Sequence, residues 1–256
     1  MSGLYHQLRS AQSELDDKLF TKSSMCAVSH GLEEVIMEFE LEVELFVTFQ
    51  QFEFFTAELE RYLELDQICQ QIFVFCQGVE SEVVSEFENT TFVDLAEEDA
   101  LLKEWDLVVN SPTQPMLLAT YETPEFQMAD LDDFRTFMGF LSFTPQEVER
   151  AVEYMVAKLK EYGIDYTPHY QLEDKEAKTA LDDKVALFLN QSLQEVESKT
   201  EELYQNNLLL MEALEKNKDR TLEMVKRLCY AAEYRDEDTA SHLVRMSFYS
   251  TFIYSK

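Results

Sequence analysis

Between Asp182 and Arg227 the chain has neither Gly nor Pro. A stretch of that length without a residue that breaks or turns the backbone is committed to one long helix. Within it, alternating steps of four and three residues place Leu189, Leu193, Val196, Thr200, Leu203, Asn207, Leu210, Leu214, Asn217, Thr221, Met224 and Leu228 on one seam. Eight of these twelve are apolar, and the register persists for more than five heptads. A helix packed on a globular core needs a broader and shorter stripe, so the pattern predicts a coiled coil. Asn207 falls at an a position when Leu203 and Leu210 are d, and a buried Asn there favours two parallel strands in fixed register. The expected partner is a second copy, in a parallel homodimer through residues 186–228. The four polar seam positions leave open a helix that folds back on its own domain.

The rest of the chain supports a core. It is 46% hydrophobic with 19 Phe and 12 Tyr, while only 5 Gly and 5 Pro occur in 256 residues. A formal net charge of −30 repels phosphate backbones and anionic lipid, so neither nucleic acid nor a membrane surface is an expected partner. No apolar run reaches a membrane-spanning length and Met1–Ser10 has no signal-like segment, which leads to a cytoplasmic expectation. Cys26, Cys69, Cys76 and Cys229 lack CxxC spacing and read as reduced, buried thiols, with a Cys69–Cys76 redox pair as the lesser alternative.

From Ser13 to about Gln70 the pattern reads as helical. Inside it, strict alternation over Glu38–Phe46 favours a strand, whereas the spacing of Leu45, Phe49, Phe52 and Phe55 favours a helix, and the helical reading is preferred for most of Glu33–Asp66. Ile72–Cys76 reads as a buried strand with Gly78 as its exit turn. Asp106–Asn110 and Met116–Tyr121 form an expected hairpin around Ser111–Pro115. After the apolar run Phe134–Phe143, Thr144-Pro145-Gln146-Glu147 predicts a capping box that opens a helix reaching about Tyr162, ended by Gly163. The fold class expected is an α+β sensor domain followed by a long α-helical coiled coil and the first helices of an all-α domain. Its divisions are 1–166, 172–229 and 230–256.

Past the seam, Asp236 is a good N-cap for a helix from Glu237, which would set Asp238 and His242 four positions apart on one face. A carboxylate and an imidazole so placed can share a metal ion, although such pairs are also common as solvated neighbours. The string AAEYRDEDTASHLVRMSFYS around them resembles the opening of the HD-GYP domains, metal-dependent phosphodiesterases that hydrolyse cyclic di-GMP. That resemblance implies that Asp238 and His242 are metal positions. It also implies that the complete domain holds Fe or Mn, with Asp rather than Glu leaning toward a two-metal centre. The sequence has no His-Asp dipeptide, no His-His pair and no Gly-Tyr-Pro, and only fourteen residues follow His242. The expectation is therefore an incomplete metal site and a chain that binds no metal and catalyses nothing alone.

VELFVTFQQFEFFTAELERY, QIFVFCQG, LLKEWDLVVNSPTQPMLLATYE and FRTFMGFLSFTPQEVERAV together resemble, in order, the DICT domains. These are sensory modules found with diguanylate cyclases, two-component proteins and related outputs. The match spans about Val35–Leu159, and its strongest elements are Phe49-Gln50, Glu58 to Tyr62, Glu104-Trp105 and Phe140 to Pro145. The resemblance implies a sensor for an unknown small-molecule or protein signal. Trp105, the only Trp, could stack on a ligand, but an aromatic that starts a strand is more often core. Met116, Met128 and Met138 read as core filler, and His6, His30 and His169 as surface or capping residues. The leading functional expectation is a bacterial sensor and dimerisation module whose output is cyclic di-GMP hydrolysis. The alternative is a stand-alone, non-catalytic regulator that forms heterodimers through its helix.

Overall fold

The computed structural model describes residues 2–11, 17–123, 135–170, 206, 209–231 and 237–254. The chain forms two compact units, Met1–Ser198 and Lys199–Lys256.

The first unit is built on a seven-stranded sheet in the order β1-β7-β6-β5-β2-β3-β4. Its strands are β1 (Lys18–Thr21), β2 (Glu44–Gln51), β3 (Gln71–Gln77), β4 (Thr90–Asp94), β5 (Leu107–Asn110), β6 (Met116–Glu122) and β7 (Thr136–Ser142). β2, β3 and β4 run parallel, and the remaining pairs are antiparallel. The helices are α1 (Leu4–Ala11), α2 (Lys22–Glu38), α3 (Phe52–Thr56), α4 (Leu59–Ile68), α5 (Ser81–Val84) and α6 (Pro145–Glu161). This is an α/β domain with a mixed sheet.

Side chains alternate across that sheet, and both faces are buried. Leu45, Val47, Ile72, Val74, Leu107, Val109, Met116 and Leu118 share one core with residues of α2, α3 and α4. Phe46, Phe73, Phe75, Val108, Leu117 and Ala119 share the other with α1 and with Val148, Ala151, Val152, Met155 and Leu159 of α6. Two-sided burial explains the main departure from the sequence reading. Glu44–Gln51 is a central strand and not helix, because its run ELFVTFQQ must satisfy a core on each face. A strand buried on both sides reads as continuous apolar sequence without alternation. The aromatic stripe that imitated a helix is divided in the structure. Phe49 lies on β2, whereas Phe52 and Phe55 lie on α3.

The strand and exit turn at Ile72–Gly78 are found, with Gly78 at φ +81°. The Leu107–Asn110 and Met116–Glu122 strands pair as expected, Leu107 opposite Leu118. α6 starts at Pro145 and is closed by Gly163 at φ +78°. The predicted capping box is not formed. Thr144 serves through its backbone carbonyl, which accepts from Glu147 N (3.0 Å) and Val148 N (3.1 Å), and no side chain caps the helix. Thr144 N itself donates to Ser142 Oγ (3.1 Å), which holds the chain in place before the helix begins.

The sequence reading contained no β1, α1 or β4. β4 is short and only half-buried, and it is fixed by a polar device. Asp66, buried at the end of α4, accepts from Glu88 N (2.9 Å), Asn89 N (3.0 Å) and Thr90 Oγ1 (2.6 Å). After α6 the chain returns to the start of β2, where buried Glu44 accepts from His169 N (2.7 Å), His169 Nδ1 (2.8 Å), Asn110 Nδ2 (2.5 Å) and the Tyr166 hydroxyl. His169 is exposed, the surface residue that the sequence implied, and it also tethers this segment to Glu44.

In the second unit a helix, α7, covers residues 209–231, and α8 covers Glu237–Tyr254. α8 begins where the sequence predicts. The seam residues Leu210, Leu214, Met224 and Leu228 are all exposed on α7. Seam positions Leu189 through Asn207, and the capping residue Asp236, lie outside the described residues. Among the described residues no helix is long and apolar enough to cross a membrane.

Candidate functional site

The carboxyl end of β2 lies between its parallel partner β3 and its antiparallel partner β5. Around it five chain segments converge. α2 starts at Lys22 because Thr21 caps it, its Oγ1 accepting from Ser24 N (3.2 Å). Lys22, Cys26 and His30 then recur at four-residue spacing along one side of the helix. β2 delivers Thr48, Phe49 and Gln50, and the chain turns at once into α3, which supplies Phe54 and is followed by Ala57 and Glu58. Glu104 and Trp105 precede β5, and Arg135 precedes β7. Apart from His30 and the capping pair Thr21 and Ser24, all of these residues line a mostly apolar cavity of about 260 Å³.

One wall is a closed polar triad. Arg135 donates from Nε and Nη2 to the two carboxylate oxygens of Glu122, each at 2.8 Å, and also to Gln50 Oε1. Gln50 Nε2 completes the ring by donating to Glu122 (3.1 Å). The guanidinium lies 5.4 Å from the Phe54 ring centre and 5.2 Å from that of Phe137, and Lys22 Nζ lies 5.9 Å from Phe54. Cations over aromatic faces at these distances are attracted by the ring quadrupole. Trp105 meets Phe137 edge to face at 5.7 Å. It packs against the core, as the core reading of its sequence position has it, and it also lines the cavity.

The floor is acidic and buried. Asp106 N donates to Thr48 Oγ1 (2.7 Å), Asp106 accepts from Thr120 N (3.0 Å), and Glu104 accepts from Leu4 N (2.7 Å) at the start of α1. Burial pushes Glu104 well above its ordinary value, and the neighbouring Asp106 pushes it further. Burial likewise raises Asp106, to about 7, against the lowering effect of its hydrogen bonds with Thr120, Glu104 and Thr48. The pair shares a hydrogen bond and holds a proton that two exposed carboxyls would have lost.

Behind the cavity, Glu33 of α2 accepts from the Tyr62 hydroxyl (2.8 Å) and faces Arg61 at 3.6 Å. Burial raises it to about 8, with Tyr62 and Arg61 opposing. Such an acid keeps its proton in the fold while the unfolded chain, near 4.5, has lost it. Stability should therefore fall as pH rises from about 4.5 to about 8, by up to about 1.4 kcal/mol per pH unit for one group. Asp106 and Glu104 act with the same sign. Asp99 acts oppositely, because Tyr162 and Lys158 outweigh burial and hold it below 3.8, but its window lies at lower pH. Urea midpoints at pH 5 and pH 8 test this, and Glu33→Gln should flatten the decline. An unchanged slope in that variant would remove Glu33 from the account.

The cysteines at the core are inert by the same physics. Cys69 and Cys76 are buried and unbridged, and burial pushes each thiol to about 12. That is the small-hydrophobe reading rather than the redox pair. Met116 is core as expected, Met138 is half-buried, and Met128 lies outside the described residues. His30 pairs with Glu58 (3.0 Å) at the cavity edge.

Asp238 and His242 both fall on α8, four positions apart, and His242 is exposed. Among the described residues no group of three or more His, Cys, Asp or Glu side chains could hold a metal ion. Two positions on one helix do not make the ligand set of a bridged metal pair, so the residues present do not fit that centre.

Residues 2–123 match the model of the DICT family, a sensory domain in diguanylate cyclases and two-component systems. A DICT sensory domain occupies this part of the chain. Its role is that of a sensor in signal transduction. The match starts at residue 2 rather than near Val35, and so takes in α1 and α2, and it ends with β6 rather than near Leu159. Phe49-Gln50 and Glu104-Trp105, prominent in the sequence resemblance, meet in the DICT cavity, whereas Arg135 comes from beyond the matched segment. That convergence was not visible in the sequence, where the two dipeptides lie far apart. The crystal structure of a polyphosphate kinase from Porphyromonas gingivalis is similar at 11% identity and a TM-score of 0.33, over 76% of this chain and 31% of that one. At that score the likeness bears neither on fold nor on function. No curated protein matches the sequence significantly.

Proposed function

We propose that the chain is a ligand-responsive signalling module. In this reading the DICT domain binds a small molecule in the Trp105 cavity, the chain pairs with a second copy in a parallel homodimer through residues 186–228, and the governed output is metal-dependent hydrolysis of cyclic di-GMP. The observation that carries it is the cavity's construction. A mostly apolar space with a few convergent polar groups is the usual form of a small-molecule site. Its walls come from α2, β2, α3, the Glu104-Trp105 segment and Arg135, so a ligand would bear on several elements at once and favour one arrangement of them.

Two further features support the rest. The helix over 209–231 carries Leu210, Leu214, Met224 and Leu228 exposed along the predicted seam, an apolar row that a second copy would cover. α8 carries both Asp238 and His242, which is compatible with the HD-GYP reading. In a complete catalytic domain these would contribute two ligands to Fe or Mn.

The test joins the chain in helical register to a complete HD-GYP domain and measures cyclic di-GMP hydrolysis with Mn²⁺. Cys26→Phe, which places a ring in the cavity, is expected to shift the rate several-fold while the dimer mass in ultracentrifugation stays the same. An unaltered rate would count against the cavity as the sensing site. If the separate chain, added in trans, then changed the activity of a complete enzyme, the stand-alone heterodimerising regulator would take its place.

A further inference from the structure

The charged groups on the cavity wall are all engaged. Lys22 lies over the Phe54 ring at 5.9 Å, and Arg135 is held by Glu122 across two 2.8 Å hydrogen bonds. Glu58 pairs with His30 at 3.0 Å, and Glu104 accepts from Leu4 N at 2.7 Å. A charged ligand would enter a mostly apolar space whose charges already have partners, which is costly. At about 260 Å³ that space lies just below the usual range for ligand pockets, with room for one or two rings. Phe49, Phe54 and Trp105 line it, and aromatic rings pack well among one another. An uncharged aromatic molecule fits this wall.

The cavity adjoins a second, much smaller space. Thr48, Phe49, Glu58 and Trp105 line both it and a narrow cleft of about 10 Å³ that reaches Glu33. The cleft has the room of a single water. Glu33 is 3% exposed, and its Oε1 accepts from the Tyr62 hydroxyl at 2.8 Å. Among the described residues its Oε2 has no hydrogen-bond partner, only Arg61 Nε at 3.6 Å. Its neighbours in the cleft are hydrogen-bonded: Ser29 Oγ donates to Met25 O at 2.8 Å, and Thr48 Oγ1 accepts from Asp106 N at 2.7 Å. A buried carboxyl oxygen without a partner is costly until something reaches it. The cleft therefore suits one polar atom carried on the edge of a ring.

Glu33 also selects that atom. Burial raises it to about 8, and with Oε1 accepting from Tyr62, the proton of the neutral acid falls on Oε2 and needs an acceptor. Once ionised, the same oxygen needs a donor. A hydroxyl serves either state.

We infer that the DICT cavity takes an uncharged phenol of one or two rings, its rings among Phe49, Phe54 and Trp105 and its hydroxyl in the cleft on Glu33 Oε2. The assignment rests on the reading of this cavity as the sensing site.

Calorimetry on the intact chain with phenol, fluorobenzene and benzoate is the test. Fluorobenzene keeps the ring and its size but cannot donate, and benzoate brings a charge. Each should bind about tenfold more weakly than phenol, the scale of one hydrogen bond to a buried carboxyl group. Trp105, the only Trp in the chain, lines both spaces, so its emission should shift saturably with phenol over the same concentrations. Glu33→Met should erase the preference for phenol over fluorobenzene and leave fluorobenzene binding as it was. Cys26→Phe, whose ring takes the cavity, should abolish phenol binding. The comparison of the three probes in the unaltered protein depends on no variant folding.

Fluorobenzene or benzoate binding as tightly as phenol, or saturable binding of none of them, would overturn the inference. So would phenol binding that survives Cys26→Phe, or a preference for phenol that survives Glu33→Met. The reading beneath it fails separately. If Cys26→Phe changes the fused enzyme's rate and none of the three probes binds, the sensing site stands and the ligand class is wrong. If phenol binds with the stated selectivity and Cys26→Phe leaves the rate unchanged, the ligand class stands and the sensing role is wrong.

Discussion

Phe55→Ala is expected to cost the DICT domain about 3–5 kcal/mol, the range for removing a fully buried aromatic ring. Phe55 has no exposed surface and is the hub of an aromatic cluster. Its ring centre lies 5.5 Å from Phe49, 5.7 Å from Phe52, 5.2 Å from Tyr62, 5.7 Å from Phe87 and 5.0 Å from Phe92. These neighbours come from β2, α3, α4, the approach to β4 and β4 itself. No one of them can move into the space without leaving its own element, so the site collapses poorly and the cavity penalty adds to the lost transfer energy. Against a total stability of about 5–15 kcal/mol, this is a large fraction, and a fall in melting temperature of about 10 °C should accompany it. The exposed Phe143 is the control, since Phe143→Ala should change stability by less than about 0.5 kcal/mol. A loss below about 1 kcal/mol at Phe55 would mean that the cluster is not the packing centre of this face.

That same cluster shows why part of the fold was hidden in the sequence. Where one feature decided local structure, the sequence was legible. Pro145 opened α6 and Gly163 closed it, Gly78 ended β3, and Ser111–Pro115 joined β5 to β6. Phe49, Phe52 and Phe55 defeated that reading because their spacing fits a helical stripe, while the break between β2 and α3 falls among them. Nothing in Phe49-Gln50-Gln51-Phe52 marks a boundary. β2 is a strand because β3 and β5 flank it and two cores cover it, and those are long-range facts. The candidate site was hidden for the same reason. Trp105 was noticed as a residue, but a cavity needs Lys22, Phe54 and Arg135 beside it, and only the crossing of the sheet by the chain brings them there. Asp238 and His242 were the reverse case. Their spacing was legible and their helix is found, yet no third ligand group accompanies them among the described residues.

β2 has the cavity at one end and a second polar centre at the other, and the second large expected effect lies there. Glu44 is completely buried, and it holds the chain after α6 through His169 N at 2.7 Å, His169 Nδ1 at 2.8 Å and the Tyr166 hydroxyl, while Asn110 Nδ2 donates from β5 at 2.5 Å. Glu44→Ala removes the shared acceptor of all four donors. Tyr166 and His169 Nδ1 retain each other at 3.1 Å and Asn110 retains Tyr170 O at 3.2 Å, so the backbone N–H of His169 loses most. A cost of about 1–3 kcal/mol follows from the lost charge-assisted hydrogen bonds and from the part-buried His169 N–H left without its acceptor. Glu44→Gln, which keeps an acceptor oxygen and the volume, should lose about half as much. The diagnostic readout is hydrogen exchange over residues 164–170, because the ring of Tyr166 also packs on Phe73 at 4.6 Å. If the carboxylate is the anchor, Glu44→Ala releases the amides of this segment while Tyr166→Phe, which keeps the ring, leaves most of their protection in place. Retained protection in Glu44→Ala would make the Phe73–Tyr166 contact the anchor instead. The distinction bears on how a ligand could be felt downstream. β2 carries Thr48, Phe49 and Gln50 at the cavity and Glu44 at this attachment, about 13–20 Å apart at 3.3 Å per residue, so a shift of the strand at one end would reach the other through a single rigid element.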